Sequence, residues 1–161
     1  MDELESLAAA VGAALKARAA MLATAESCTG GWVAQAVTAI AGSSEWFERG
    51  FVTYSNDAKV ELLDVNPATL ATHGAVSEAT AREMARGALA RSRATQAVAI
   101  TGIAGPGGGT ADKPVGTVCF AWASRDPASV ASERHQLPGD RTAIRRRAVV
   151  IALEGVARRM G

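Results

Sequence analysis

Residues 20–40, Ala-Met-Leu-Ala-Thr-Ala-Glu-Ser-Cys-Thr-Gly-Gly-Trp-Val-Ala-Gln-Ala-Val-Thr-Ala-Ile, pass from an apolar stretch through a hydroxyl, a thiol and two glycines into apolar residues at helical spacing. Ala20, Met21, Leu22 and Ala23 predict a strand leading in, and Trp32, Val33, Ala36, Val37 and Ile40 share one face of a following helix. Ser27 or Cys28 then stands at the strand-to-helix junction, a place suited to a nucleophile. Backbone N–H groups of Thr29, Gly30 and Gly31 would lie unpaired at the helix start, able to hold an anion or a developing oxyanion. The same stretch also reads as plain helix capping, because serine and threonine are favoured N-caps.

Upstream, Leu4, Leu7, Ala8, Val11, Ala14 and Leu15 recur at steps of three and four and predict an amphipathic helix ending near Ala19. Downstream, residues 42–45 mark a break and residues 51–55 (Phe-Val-Thr-Tyr-Ser) read as a second strand, followed by a short helix over 56–63. Pro67 and the Thr/His/Gly stretch after it read as a second break. Ser77 then caps a helix that presents Ala81, Met84, Ala85, Ala88 and Leu89 on one face. A continuous apolar strand at 97–101 runs into the glycine-rich loop 102–109. Residues 115–123 suit a strand buried on both faces, Asp126-Pro127 turns the chain, and an antiparallel strand follows around 130–137. Gly139-Asp140 caps a last helix with Ile144, Ala148, Ile151, Ala152 and Gly155 as its apolar stripe. The order α-β-α-β-α-α-β-β-β-α, with no repeat and no linker, predicts an α/β fold: a single domain over 1–161, a three-layer α/β/α sandwich with a mixed sheet.

Bulk composition narrows the functions. A chain of 161 residues buries roughly 70% of its unfolded surface without staples. Its formal net charge of +1 gives no pull toward nucleic acid or an anionic membrane. Cys28 and Cys119 belong to no CxxC pair, so neither a zinc site nor a disulfide framework is expected, and a reducing cytoplasm suits them. The acidic start Met-Asp-Glu-Leu-Glu is the opposite of a signal peptide, and no apolar run is long enough to span a bilayer. The apolar composition leaves room for a homodimer.

Other residues compete for chemistry. Tyr54, the chain's only tyrosine, sits at a strand end, and Lys59 starts a short helix five residues on. A partly buried lysine can take the proton of a serine, and a phenol nearby can relay it; a solvated helix lysine and a half-buried strand tyrosine would look the same. In the loop 102–109, Gly102 and Gly107 have the Walker A interval, yet Gly108 and Gly109 stand where Lys and Ser or Thr are required, and no GxGxxG opens a helix. What remains is a loop whose N–H groups suit a phosphate or carboxamide, or else a long turn. His73 and His135 are isolated from each other and from acidic clusters, which argues against a metal site or a Ser-His-Asp triad. Arg141 and Arg145 share a helix face near its N-terminus, where either a phosphate or solvent would face them.

Taken together, Thr-Ala-Glu-Ser-Cys-Thr-Gly-Gly (24–31), Gly-Phe-Val-Thr-Tyr-Ser-Asn (50–56) with Lys59, Gly-Ala-Val-Ser (74–77), Thr-Gly-Ile-Ala-Gly-Pro-Gly-Gly (101–108) and Lys-Pro-Val-Gly-Thr-Val (113–118) resemble the C-terminal-domain family of the competence-damage protein CinA. Members made of this domain alone are nicotinamide-nucleotide amidohydrolases. The resemblance therefore implies conversion of nicotinamide mononucleotide to nicotinate mononucleotide and ammonia in pyridine-nucleotide salvage, without metal or organic cofactor. It puts the family's serine, lysine and tyrosine on Ser27, Lys59 and Tyr54. On this basis Ser27 attacks the carboxamide carbon with neutral Lys59 as general base and Tyr54 relaying the proton. Thr29, Gly30 and Gly31 hold the oxyanion. The loop from Thr101 and Gly102 through Ala104 and Gly105 holds ribose phosphate or pyridine, and Arg141 or Arg145 pairs the phosphate. Cys28 is the rival nucleophile, and a catalytically silent nucleotide-binding or partner-binding module is the rival function.

Overall fold

The computed structural model describes residues 2–161; Met1 of the acidic start lies outside them. The elements in order are α1 (Glu3–Ala17), β1 (Leu22–Glu26), α2 (Trp32–Thr38), a 3-10 turn (Ser43–Glu45), β2 (Phe47–Val52), α3 (Asn56–Leu63), α4 (Pro67–His73), α5 (Glu78–Ala90), β3 (Gln96–Gly102), β4 (Thr117–Arg125), β5 (Ala128–Gln136) and α6 (Arg141–Met160). The five strands form one sheet in the order β2-β1-β3-β4-β5, parallel at β2/β1/β3 and antiparallel at β3/β4/β5. This is the expected mixed sheet, with helices on both faces.

Alternation in the central strands sorts the two cores. Leu22, Val98, Ile100, Phe120 and Trp122 pack with α1, α2 and α6. Their neighbours Ala23, Ala25, Ala97, Ala99, Ala121 and Ala123 face α5 instead. A sheet face of alanines lets α5, itself rich in alanine, lie close. Two helical glycines mark further close approaches. A Cβ on Gly155 of α6 would stand 2.1 Å from Trp122, and one on Gly87 of α5 would stand 1.9 Å from the Leu63 carbonyl at the end of α3. The second contact fixes α3 against α5, and α3 carries Lys59.

Three expectations need correction. The break at Pro67 is a helix, α4: the Asn66 side chain accepts from the Ala68 N–H and proline occupies the first helical turn, where its missing donor costs nothing. The second strand spans 47–52 rather than 51–55; it pairs from Leu22↔Phe47 to Glu26↔Val52, and Ser55 leaves to cap α3. The capping reading of 27–29 also fails. Gly31, with φ 103°, holds the cap position of α2 and has no side chain to offer, so the capping acceptor comes from elsewhere.

Topology then places a crevice. The chain leaves β1 through α2 to β2 on one side, and returns past β1 through α5 to β3 on the other. The carboxyl ends of β1 and β3 therefore meet at a switch point, where open α/β sheets bind ligands.

Candidate active site

Ser27 is the first residue after β1, and its backbone is fixed on both sides. The Ser27 N–H donates to the Ile100 carbonyl at 3.0 Å, and the Thr53 N–H donates to the Glu26 carbonyl at 2.8 Å. A cavity of about 270 Å³ opens at this point. Its wall is drawn from the β1 end (Ser27, Cys28), the exit of β2 and first turn of α3 (Tyr54, Asn56, Lys59), Ala75 and Val76, the β3 end with the glycine loop (Thr101, Gly102, Ala104, Gly105, Gly107), and Arg141.

At its base Lys59 is 1% exposed. The Lys59 Nζ lies 3.0 Å from Ser27 Oγ, 3.0 Å from the Thr53 carbonyl and 3.1 Å from the Tyr54 carbonyl. No carboxylate is among these partners. Burial lowers the Lys59 pKa from the ordinary lysine value, opposed only by the negative charge Cys28 would carry as thiolate. Its place in the first turns of α3, capped by Ser55, adds the positive end of the helix dipole in the same direction. The three contacts have a definite chemical meaning. A neutral amine has two N–H bonds and one lone pair, so the two carbonyls take the N–H bonds and the lone pair faces the serine hydroxyl. Ser27 is 8% exposed, and its Oγ is also 3.4 Å from the Tyr54 carbonyl, an acceptor for its proton when Lys59 is charged.

The tyrosine takes part through its main chain. Its side chain is 62% exposed, and the phenol oxygen accepts from Arg141 Nη2 at 3.3 Å. Arg141 Nη1 donates to the Gly105 carbonyl at 2.7 Å, so this arginine straps Tyr54 to the glycine loop across the cavity mouth. Arg145 is engaged elsewhere. Its Nε donates to the Cys28 carbonyl at 3.0 Å and its Nη2 to the Thr29 carbonyl at 3.2 Å, while the guanidinium lies 5.6 Å from the centre of the Trp32 ring.

Of the residues singled out in the sequence, Ser27, Lys59, Tyr54, Thr101, Gly102, Ala104, Gly105 and Arg141 come together on this cavity. Thr29, Gly30, Gly31 and Arg145 are not on its wall. Of the amides expected to serve an oxyanion, that of Gly30 donates to the Ser27 carbonyl at 3.1 Å, and further on those of Val33 and Ala34 donate to the Glu26 side chain. Thr101 supports the wall from behind, its hydroxyl donating to the Ala75 carbonyl at 2.9 Å. Sequence reasoning missed Asn56, Ala75 and Val76. It also passed over Glu26, for which a signal existed: a glutamate closes a strand, Leu-Ala-Thr-Ala-Glu, that carries no other charge.

Cys28 lines the cavity as well, but burial pushes its thiol up to about 12, well above neutrality. A thiol held neutral is a poor nucleophile, so Cys28→Ala is expected to keep turnover within about threefold of the unmodified protein. Steady-state rates of the two, normalised to folded protein, check this. The histidines lie elsewhere: His135 Nε2 is 2.8 Å from Glu133, and the His73 carbonyl accepts from Lys113 at 2.6 Å. Among the described residues no three His, Cys, Asp or Glu side chains are placed to share a metal ion, and no helix is long and apolar enough to cross a membrane.

Comparison with known proteins finds relatives along nearly the whole chain. The pattern of the CinA C-terminal domain matches residues 4–160. The nicotinamide-nucleotide amidohydrolase PncC of Escherichia coli (strain K12) is 58% identical over 153 residues, which cover 95% of this chain and 92% of that protein. The protein of the same name from Pseudomonas putida is 49% identical over 156 residues, 97% of this chain and 96% of the other. Among solved structures, the competence/damage inducible protein CihA from Agrobacterium tumefaciens superposes with a TM-score of 0.94 at 50% identity, covering 97% of this chain and 94% of that one.

Proposed function

The chain belongs to the CinA C-terminal domain family, and from that premise we propose that it is a nicotinamide-nucleotide amidohydrolase working through a Ser27–Lys59 pair. It hydrolyses the carboxamide of nicotinamide mononucleotide to nicotinate mononucleotide and ammonia. The observation that carries this reading is the 3.0 Å contact between Lys59 Nζ and Ser27 Oγ at the base of the cavity, with the other two Lys59 contacts going to carbonyls.

In the proposed mechanism the Ser27 hydroxyl adds to the carboxamide carbon while its proton passes to the Lys59 lone pair. The tetrahedral oxyanion is held by amides of the cavity wall around Gly102, Ala104 and Gly105. Collapse breaks the C–N bond, and the proton on Lys59 leaves with the ammonia. Water then adds to the nicotinoyl ester, giving its proton to Lys59, and the Ser27 oxygen departs with that proton to release the acid. The proton shuttle is completed by Lys59 alone. Tyr54 and Arg141 act at the mouth, where the guanidinium is the group proposed to meet the nucleotide phosphate and the phenol to cover the ring. Ammonia release from nicotinamide mononucleotide by the purified protein tests the assignment. Tight binding with no ammonia at any pH would instead favour a silent binding module.

The partner is thus a small-molecule nucleotide, and the proposed setting is the cytoplasm, in keeping with two free, buried thiols at Cys28 and Cys119. A homodimer is the proposed assembly. Among the described residues the large apolar side chains left exposed, Val52, Tyr54 and Leu62, all fall within the β2–α3 stretch, and β2 is an edge strand. Sedimentation is expected to return twice the chain mass; the monomer mass at micromolar concentration would remove this part of the reading.

A further inference from the structure

Glu26 is an ionisable side chain in the centre of the molecule that the mechanism above does not use. It ends β1, immediately before Ser27, and is 1% exposed. Three donors converge on it: the Thr29 hydroxyl at 2.6 Å and the Val33 N–H at 2.8 Å on Oε1, and the Ala34 N–H at 3.1 Å on Oε2. Among the described residues its side chain forms no ion pair with lysine, arginine or histidine. A buried carboxylate without a cation is costly to fold around, and here the N-terminus of α2 supplies the compensation.

These bonds close a ring. The main chain leaves Glu26, passes through Ser27, Cys28 and Thr29 and the left-handed glycines Gly30 (φ 61°) and Gly31 (φ 103°), and enters α2; the Glu26 side chain reaches across and grips both the turn and the helix. Gly31 brings no cap of its own; the Trp32 N–H turns back to the Thr29 carbonyl at 3.0 Å, and the next two amides of α2, those of Val33 and Ala34, depend on Glu26. The turn that presents Ser27 to Lys59 is therefore held from beneath by one side chain.

We propose that Glu26 is a positioning residue that clamps the Thr29 hydroxyl and the start of α2, and thereby sets Ser27 Oγ in line with Lys59. This rests on Ser27 being the nucleophile. Glu26→Gln keeps the shape but turns an NH2 toward donors, which leaves the clamp short of an acceptor. Thr29→Val removes only the 2.6 Å donor, and Thr29→Ser restores it.

Each variant is measured for kcat and KM on nicotinamide mononucleotide, per active site, and for the rate at which a small fluorophosphonate labels Ser27, with Ser27→Ala as the blank. Displacing a nucleophile by about an ångström predicts a kcat loss of about 100-fold in Glu26→Gln, and a smaller shift about tenfold in Thr29→Val, with KM within about threefold and labelling slowed in parallel. Thr29→Ser is expected near the unmodified rate. A residue needed only for folding would lower the fraction of active protein and leave the per-site rates alone, and that result overturns the proposal. If Glu26→Gln does not fold, the Thr29→Val and Thr29→Ser pair decides by the same criterion. The labelling rates also keep two failures apart: an unmodified protein labelled quickly but releasing no ammonia removes the amidase reading, while the labelling series still decides for or against Glu26.

Discussion

Ser27→Ala is expected to lower ammonia release from nicotinamide mononucleotide by at least about 1,000-fold, because the bond-forming atom is gone and what remains is binding and a polar cavity. The substitution is mild for the fold. The lost hydroxyl borders a cavity that water can enter, and Lys59 keeps its bonds to the Thr53 and Tyr54 carbonyls. Nucleotide affinity measured by calorimetry should therefore change little while turnover collapses. The same variant separates the two nucleophiles. The Cys28 thiol, held neutral by burial, cannot replace the missing hydroxyl, so residual activity in Ser27→Ala that disappears on adding Cys28→Ala would move the chemistry to the thiol. Acyl transfer through serine also predicts an intermediate: rapid quenching of the unmodified protein with substrate should leave a nicotinoyl ester on Ser27, visible as added mass on the peptide that carries it.

The sequence already contained most of the architecture, because the information was local. The apolar run at 97–101 read as a continuous strand, and the spacing of Ala81, Met84 and Ala88 as a helix covering the sheet, as β3 and α5 turn out to be. α4 was hidden because its seven residues are too few to show a period, and its Asn-Pro start resembles a turn. At the candidate site Ser27 and Lys59 were singled out through the family resemblance, because by residue type alone a serine at a helix start also reads as a cap and a helix lysine as a solvated side chain. The site was illegible where side chain and main chain part company. Tyr54 contributes its carbonyl to the pair and sends its phenol outward to Arg141, and nothing in the identity of a tyrosine reveals that division. Arg141 and Arg145 lie one helical turn apart, yet one reaches the cavity while the other is tied to the Cys28 and Thr29 carbonyls. Only the packed structure decides between two arginines of equal promise.

Lys59→Met is the second large effect, expected at about 10²- to 10⁴-fold in kcat, the usual contribution of a positioned general base. Methionine fills a similar volume, so loss of the base is separated from collapse of the site; Lys59→Arg is a companion that keeps the charge and supplies no lone pair at neutral pH. The pH dependence follows from the lowered pKa. In the unmodified enzyme kcat/KM should rise with pH as Lys59 gives up its proton, with its limb below the ordinary lysine value of 10.5. Stability carries the same proton with a fixed sign. Between the folded pKa and 10.5 the unfolded chain binds the proton that the folded chain has released, so unfolding free energy climbs with pH across that window and levels off above 10.5. Below the folded pKa both states are charged, and burial of the ammonium weighs against folding in full. Lys59→Met should lose the rate limb and that part of the stability slope together, since both come from one amine between Thr53, Tyr54 and Ser27. A rate limb that survives the substitution would assign the base to another group, and urea unfolding at several pH values beside the pH–rate profile distinguishes the two.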